Sequence, residues 1–510
     1  RRAGHGGGAM SAVAAEPAGV PRARMMLQRA HWAATAFAGY DYERTHRVVQ
    51  AVAEEAYRNA ERYAAWAVKE TGMGVVDHKR RKNEACSRGL LEWYGGNDYV
   101  SARIDPDAKI VELPRPAGVV LALTPSTNPI ATVYFKVLLA LMTRNAVVVS
   151  PHPIARESSA DAAHRLAAAA VEAGAPDGCI QAVEEPTIPL IEALMSDPTT
   201  DVILATGGVA VVRAAYRSGN PAIGVGPGNV PALVDHTADL AAAAERLMDS
   251  KCFDNSILCT NESCAIVEER CAAEFERELG VHGGHVLSAD EAAIVREKLY
   301  PEGRIRVDLA GRDAARLAEE CGIRVPPKTR VLVAPFSLVV PEEPLAREKL
   351  FPLLGLVRVP DARRGIDAAC AMLRIGGAGH SAVIHSRDPR TIMAYGAAVR
   401  VLRVAVNVGG STGSAGLDTN LAPTMTIGTG FFGRSSLGEN LEPRHLINMT
   451  RVAYSSDPSE AFGDFAGLEP WSAAPEAAPV AALHRAAGVD EARDEIRRIV
   501  LEELRELVKR

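Results

Sequence analysis

Residues 119–153 read VVLALTPSTNPIATVYFKVLLALMTRNAVVVSPHP, and the fold is decided in this stretch. A short β-branched run, residues 119–123, leads through a Thr/Pro/Ser/Asn loop and a segment of helical length into a second such run, residues 146–149. The rhythm returns at 179–183 and 202–204, with about a dozen residues of helical character between runs. Alternation of this kind predicts a parallel, doubly wound α/β sheet with helices on both faces.

Upstream, residues 22–93 place small apolar side chains at helical spacing (Val48, Val49, Val52, Ala56; then Tyr63, Trp66, Ala67), which predicts a helical lead-in. Downstream, a glycine-rich stretch at 223–229 precedes a second series of apolar runs at 264–267, 331–334, 354–359, 381–384 and 404–408. This reads as a second α/β lobe, with an active-site cleft expected where the lobes meet. The expected division is a disordered leader over 1–21, with Met10 as a candidate start, and a first lobe over 22–235. A second lobe over 236–430 follows, then a return segment over 431–471, a linker over 472–488 and a C-terminal helix over 489–510. In that helix Ile496, Ile499, Val500, Leu504, Leu507 and Val508 form one apolar stripe.

The chain has 510 residues, is 47% hydrophobic and can bury a large core. Its 57 basic and 63 acidic residues are interspersed, leaving a formal charge of −6 and no field to gather nucleic acid or an anionic membrane. The longest candidate for a membrane span, near residues 119–135, is interrupted by two prolines and several polar groups. Eight scattered cysteines suit reduced thiols in a cytoplasm. No metal site is expected.

One cysteine stands out. Phe253-Asp254-Asn255-Ser256-Ile257-Leu258-Cys259 sets a thiol in a segment whose Asp, Asn and Ser favour a loop. A lone cysteine is more often a core residue than a nucleophile, so the thiol alone does not decide.

Several separated motifs do more. The Cys259 segment, Thr124-Pro125-Ser126-Thr127-Asn128-Pro129, Arg144-Asn145-Ala146 with Ser150-Pro151-His152-Pro153, Glu348-Lys349-Leu350-Phe351-Pro352 and Gly379-His380-Ser381-Ala382 occur in order. Together they resemble the aldehyde dehydrogenase superfamily over about residues 25–455 and, within it, the CoA-acylating branch. The resemblance implies a two-lobed fold with a Rossmann-type cofactor lobe, an α/β catalytic lobe and a β-hairpin oligomerisation flap. The flap would comprise 102–113, turning at Asp105-Pro106-Asp107, and 445–454. It also implies a homodimer or homotetramer.

By the same resemblance Cys259 attacks the aldehyde, while the Asn128 amide and the Cys259 backbone N–H stabilise the oxyanion. Thr124, Pro125, Ser150, Pro151, His152, Thr206, Gly207, Gly208 and Gly226 contact the dinucleotide, and Glu348 binds the nicotinamide ribose. NAD is the default and NADP stays open, since the Ser150–Pro153 turn offers no carboxylate to the adenosine ribose. Coenzyme A is the co-substrate. His380, if it titrates near neutrality, could help deprotonate the CoA thiol.

Hydrolytic relatives carry a water-activating glutamate at the hinge, and here the aligned residue is Val225, which accepts no proton. That favours acyl transfer to CoA from acetaldehyde or propionaldehyde. The tail is similar to encapsulation peptides, which implies a microcompartment shell protein as partner. The rival readings are a hydrolytic dehydrogenase and an inactive cargo or scaffold paralogue.

Overall fold

The computed structural model describes residues 19–468 and 470–471. Two compact units divide at residue 464, and every element below belongs to the first. The expected leader to residue 18, linker and C-terminal helix lie outside the described residues.

Five helices form the lead-in: Val20–Phe37, Tyr42–Arg58, Ala60–Thr71, Val76–Ala85 and Arg88–Tyr94. Tyr42–Arg58 starts where the Asp41 carboxylate caps the Arg44 N–H at 2.8 Å, and it buries Val48, Val49, Val52 and Ala56, the stripe read from the sequence.

The first sheet has five parallel strands in the order Ile180–Ala182, Ala146–Ser150, Val119–Leu123, Val202–Thr206, Ala222–Val225. Its central strands are buried throughout, as strands covered by helices on both faces must be. The helix Pro129–Met142 is likewise buried along its whole length, with proline at its first turn. From this helix Lys136 Nζ donates to the Leu123 and Leu204 carbonyls at 2.7 and 2.8 Å. It thereby ties the two strands between which the winding direction reverses. The crevice beyond the C-terminal ends of such strands is where doubly wound sheets bind ligands.

The second sheet has seven parallel strands: Gly284–Val286, Val331–Pro335, Leu353–Val359, Glu262–Glu268, Val230–Val234, Ala382–His385, Val404–Val406. Val230–Val234 belongs here, so the lobes part between Val225 and Val230 and not at 235. The glycine-rich stretch is itself partly strand, because Ala222–Val225 pairs with Ile203–Thr206.

A third, antiparallel sheet joins Arg103–Asp105, Ile110–Pro116 and Ile447–Ala453. Its outer strands are largely exposed, and the hairpin turns where Asp105 pairs with Ile110, as the Asp-Pro-Asp signal predicts. Among the described residues no helix is long and apolar enough to cross a membrane.

Candidate active site

The Cys259 loop leaves the helix Leu240–Cys252 through three consecutive left-handed residues, Asp254, Asn255 and Ser256, with φ of 50°, 51° and 63°. Asp and Asn tolerate this conformation better than most residues, yet each such residue costs on the order of 1 kcal/mol. The surroundings hold the loop in place. Asn255 Nδ2 donates to the Gly311 carbonyl at 2.9 Å, the Leu258 N–H to Asn261 Oδ1 at 2.9 Å, and Thr260 Oγ1 to the Ser411 carbonyl at 2.8 Å. Ile257, Leu258 and Thr260 are buried, whereas Cys259 between them is only half-buried. All eight cysteines are free; Cys264 packs inside its strand, and the Cys252 thiol accepts from Arg330 at 2.8 Å.

The interlobe connection lies directly against this loop. A Cβ on Gly228 would stand 1.9 Å from the Cys259 carbonyl oxygen, so only glycine fits there. The Gly228 N–H donates to Glu348 Oε1 at 2.9 Å. Burial draws the Glu348 carboxyl up to about 7, opposed by that hydrogen bond and by Lys251 and Lys349. Burial, reinforced by the Glu348 charge, pushes the Cys259 thiol up to about 12, while the Arg403 guanidinium pulls it down. Arg403 is itself buried, donating to the His380 and Gly428 carbonyls at 3.0 and 2.6 Å.

The resting thiol is therefore protonated at neutral pH. Iodoacetamide alkylation of Cys259 should rise about tenfold per pH unit between 7 and 10, without the plateau near 8.5 of an ordinary thiol. A mass-spectrometric alkylation rate series checks this.

Asn128 precedes the helix Pro129–Met142 but makes no capping bond, leaving its amide for other work. Its Oδ1 accepts from Lys82 Nζ, and its Nδ2 donates to Thr127 Oγ1 at 3.3 Å. Lys79, Lys82, Asp254 and Arg403 were not evident as site residues from the sequence. The run Val76–Ala85 is so charged that it reads as a solvated face.

Thr124-Pro125, Ser150-Pro151-His152 and Thr206-Gly207-Gly208 all lie at the C-terminal ends of strands in the first sheet. Thr124 follows the strand Val119–Leu123; its side chain is buried and its Oγ1 has no partner, as a hydroxyl awaiting a ligand would be. Its N–H donates to the Ser150 carbonyl at 3.0 Å, which brings the Thr124-Pro125 and Ser150-Pro151-His152 turns together. Thr206 ends the neighbouring strand, and Gly207-Gly208 open the helix Val209–Arg217, whose first N–H groups face the crevice end of the sheet. A Cβ at Gly208 or Gly226 would meet nothing within 4 Å, so both leave open space. The residues fit a dinucleotide.

The turn after Ser150 has no carboxylate of its own, but one arrives from the lead-in. Glu70 accepts from the Glu157 and Ser158 N–H groups at 2.8 and 3.1 Å, at the start of the helix Arg156–Glu172.

Val225 is buried at the end of its strand, paired with Thr206. His380 departs from expectation, because complete burial and the Arg403 charge push its imidazole down to about 3 and it does not titrate near neutrality. Its Nδ1 meets Ser381 Oγ at 2.9 Å and its Nε2 has no partner. Among the described residues no group of three His, Cys, Asp or Glu could hold a metal ion.

Comparison with known proteins agrees with this geometry. Residues 13–419 match the Aldehyde dehydrogenase family. The chain is 34% identical over 434 residues to the bifunctional aldehyde-alcohol dehydrogenase of Escherichia coli, covering 84% of this chain but 49% of that protein, so it spans about half the length of that relative. It superposes on the crystal structure of an acetylating aldehyde dehydrogenase from Geobacillus thermoglucosidasius with a TM-score of 0.84, at 35% identity, covering 86% of this chain and 97% of that one. A Rhodopseudomonas palustris propionaldehyde dehydrogenase, solved with bound CoA and an acylated cysteine, superposes with a TM-score of 0.77 at 25% identity, covering 85% of this chain and 97% of that one. With its thiol loop set against the connection between two parallel sheets, the chain belongs to the aldehyde dehydrogenase family.

Proposed function

We propose that this chain oxidises a short aldehyde, acetaldehyde or propionaldehyde, and transfers the acyl group to coenzyme A. The observation that carries the reading is Val225, buried and apolar at the hinge beside the thiol loop where hydrolytic relatives place a base. The Cys259 proton passes to the neighbouring Glu348 carboxylate, the resulting thiolate adds to the aldehyde carbon, and the carbonyl electrons move to oxygen, where the Asn128 amide and the Cys259 N–H donate. Bound nicotinamide supplies a hydride acceptor. Collapse of the oxyanion leaves a thioester on Cys259. The CoA thiolate then attacks that carbonyl carbon, the carbon–sulfur bond to Cys259 breaks, and the acyl-CoA departs. The structure of the Rhodopseudomonas palustris relative with bound CoA and an acylated cysteine supports this order of events.

Glu70, a carboxylate near the Ser150 turn, favours NAD over NADP by repelling a 2′-phosphate. The exposed three-stranded sheet is the surface through which a homodimer or homotetramer would form. The resemblance of the tail to encapsulation peptides supports residence in a microcompartment.

A second, hydrolytic reading draws on Glu348, an electrostatic neighbour of Cys259 whose carboxyl is drawn up to about 7 and could activate water. One experiment separates the two. With propionaldehyde and NAD, sustained turnover is expected only when CoA is present, with propionyl-CoA as product and at most a single-turnover burst without it. Equal turnover without CoA, yielding propionate, would replace the acylating reading by the hydrolytic one.

A further inference from the structure

The helix Val76–Ala85 carries two buried lysines that the reaction described above leaves unused. Lys79 Nζ donates to the Thr127 carbonyl at 2.8 Å and to Asp254 Oδ2 at 3.0 Å. Lys82 Nζ donates to Asn128 Oδ1 and to the same Asp254 oxygen. Each ammonium therefore spans from the loop ahead of Pro129–Met142 to the loop ahead of Cys259. Asp254 is held from further sides: its Oδ1 accepts from the Val75 N–H at 2.7 Å, and its own N–H donates to His78 Nδ1 at 2.8 Å. The His78 ring stacks on Phe253 with centroids 4.7 Å apart.

Burying two ammonium groups with one carboxylate is expensive, and well-packed apolar residues of similar volume often stabilise a fold as well or better. Stability alone is thus a poor account of the arrangement. Geometry offers a better one. The oxygen and nitrogen of an amide lie on opposite branches of one planar group, so fixing the oxygen aims the N–H. A charge-assisted bond to the oxygen also polarises that N–H and strengthens it as a donor. The same ammonium grips Asp254, the first of the three left-handed residues, and such strain persists only where the surroundings over-determine it.

We propose that Lys82 is a positioning residue for the oxyanion, aiming the Asn128 amide and anchoring the Cys259 loop with one ammonium group while Lys79 braces the same two loops. This rests on the thioester reading of Cys259 and Asn128. Two lysines share the single Asp254 carboxylate, which leaves the cluster with more donors than acceptors beside the amide that would meet the oxyanion.

The test uses the full chain with NAD and propionaldehyde, comparing the pre-steady-state burst of reduced nicotinamide with iodoacetamide alkylation of Cys259, which forms no oxyanion. In Lys82→Ala the burst rate constant should fall about 10²-fold or more, with alkylation within a few-fold of wild type. Added ethylammonium should restore part of the burst by filling the vacated position. Lys82→Gln, which keeps a donor without the charge, should fall between the two. A burst unchanged in Lys82→Ala, or burst and alkylation lost in equal proportion without rescue, would overturn the proposal. If Lys82→Ala does not fold, Lys82→Gln decides, and a wild-type burst in that variant overturns it. Failure of the thioester reading shows elsewhere, as no burst in wild type or a burst surviving in Cys259→Ala.

Discussion

Cys259→Ala is expected to remove turnover almost completely, with a loss on the order of 10⁶-fold, the scale seen when an enzyme loses its nucleophile. Both the burst and the steady state should vanish, because no other thiol reaches the same place. Cys264 is buried in its strand, and Cys252 is engaged by Arg330. Cys259→Ala truncates one side-chain atom, so losing the sulfur should shift the thermal melt only modestly. Cys252→Ala is the matched control and should keep activity within about twofold of wild type, as surface substitutions usually do. Stopped-flow measurement of reduced nicotinamide beside a melting curve checks both halves. Burst kinetics surviving in Cys259→Ala would return the thiol to the role of a packing residue.

Gly228→Ala should be severely damaging for the addition of a single methyl group. The new carbon would lie 1.9 Å from the Cys259 carbonyl oxygen, far inside contact distance, and the atom it meets is backbone. Either the hinge or the Cys259 loop must move by an ångström or more, and displacement on that scale at a reacting centre can cost about 10²-fold in rate. The shift would also disturb the Gly228 bond to Glu348, removing one of the influences that hold its carboxyl down. The expected signature is a fall in kcat of at least that size with the aldehyde KM little changed. Gly396→Ala serves as control, since a Cβ there meets nothing within 4 Å and the residue lies within the helix Pro389–Ala398. Equal activity in Gly228→Ala would mean that the hinge and the thiol loop are not coupled.

What the sequence revealed and what it hid follow physical lines. Runs such as residues 119–123 and 146–149 are continuous and β-branched because the strands are buried on both faces, so the interior of the first sheet could be read directly. Ala222–Val225 and Val230–Val234 escaped because a glycine or proline interrupts each run, and Gly284–Val286 because a three-residue edge strand has no period to detect. Cys259 and Asn128 were singled out as candidates through motifs. The lysines that hold them were not, since a ten-residue run carrying Asp77, Lys79, Arg80, Arg81, Lys82 and Glu84 resembles any solvent-facing helix until the tertiary fold covers one side. Arg403 had no local signal, as its importance comes from carbonyls brought near it by folding. His380 illustrates the converse, a suggestive residue type whose burial removes the expected titration.

On the acyl-transfer reading, the valine at the end of the strand Ala222–Val225 sets the energetics of the reaction. An acyl group on sulfur retains a high transfer potential, and hydrolysis would release it as heat in an irreversible step. If water is left without a base and CoA takes the group, one thioester is exchanged for another of similar energy, and the sequence stays close to equilibrium. Such an enzyme has no built-in direction: the ratios of acyl-CoA to CoA and of reduced to oxidised nicotinamide decide whether aldehyde is consumed or made. A single apolar side chain at the hinge would thus separate a one-way oxidation from a reversible exchange.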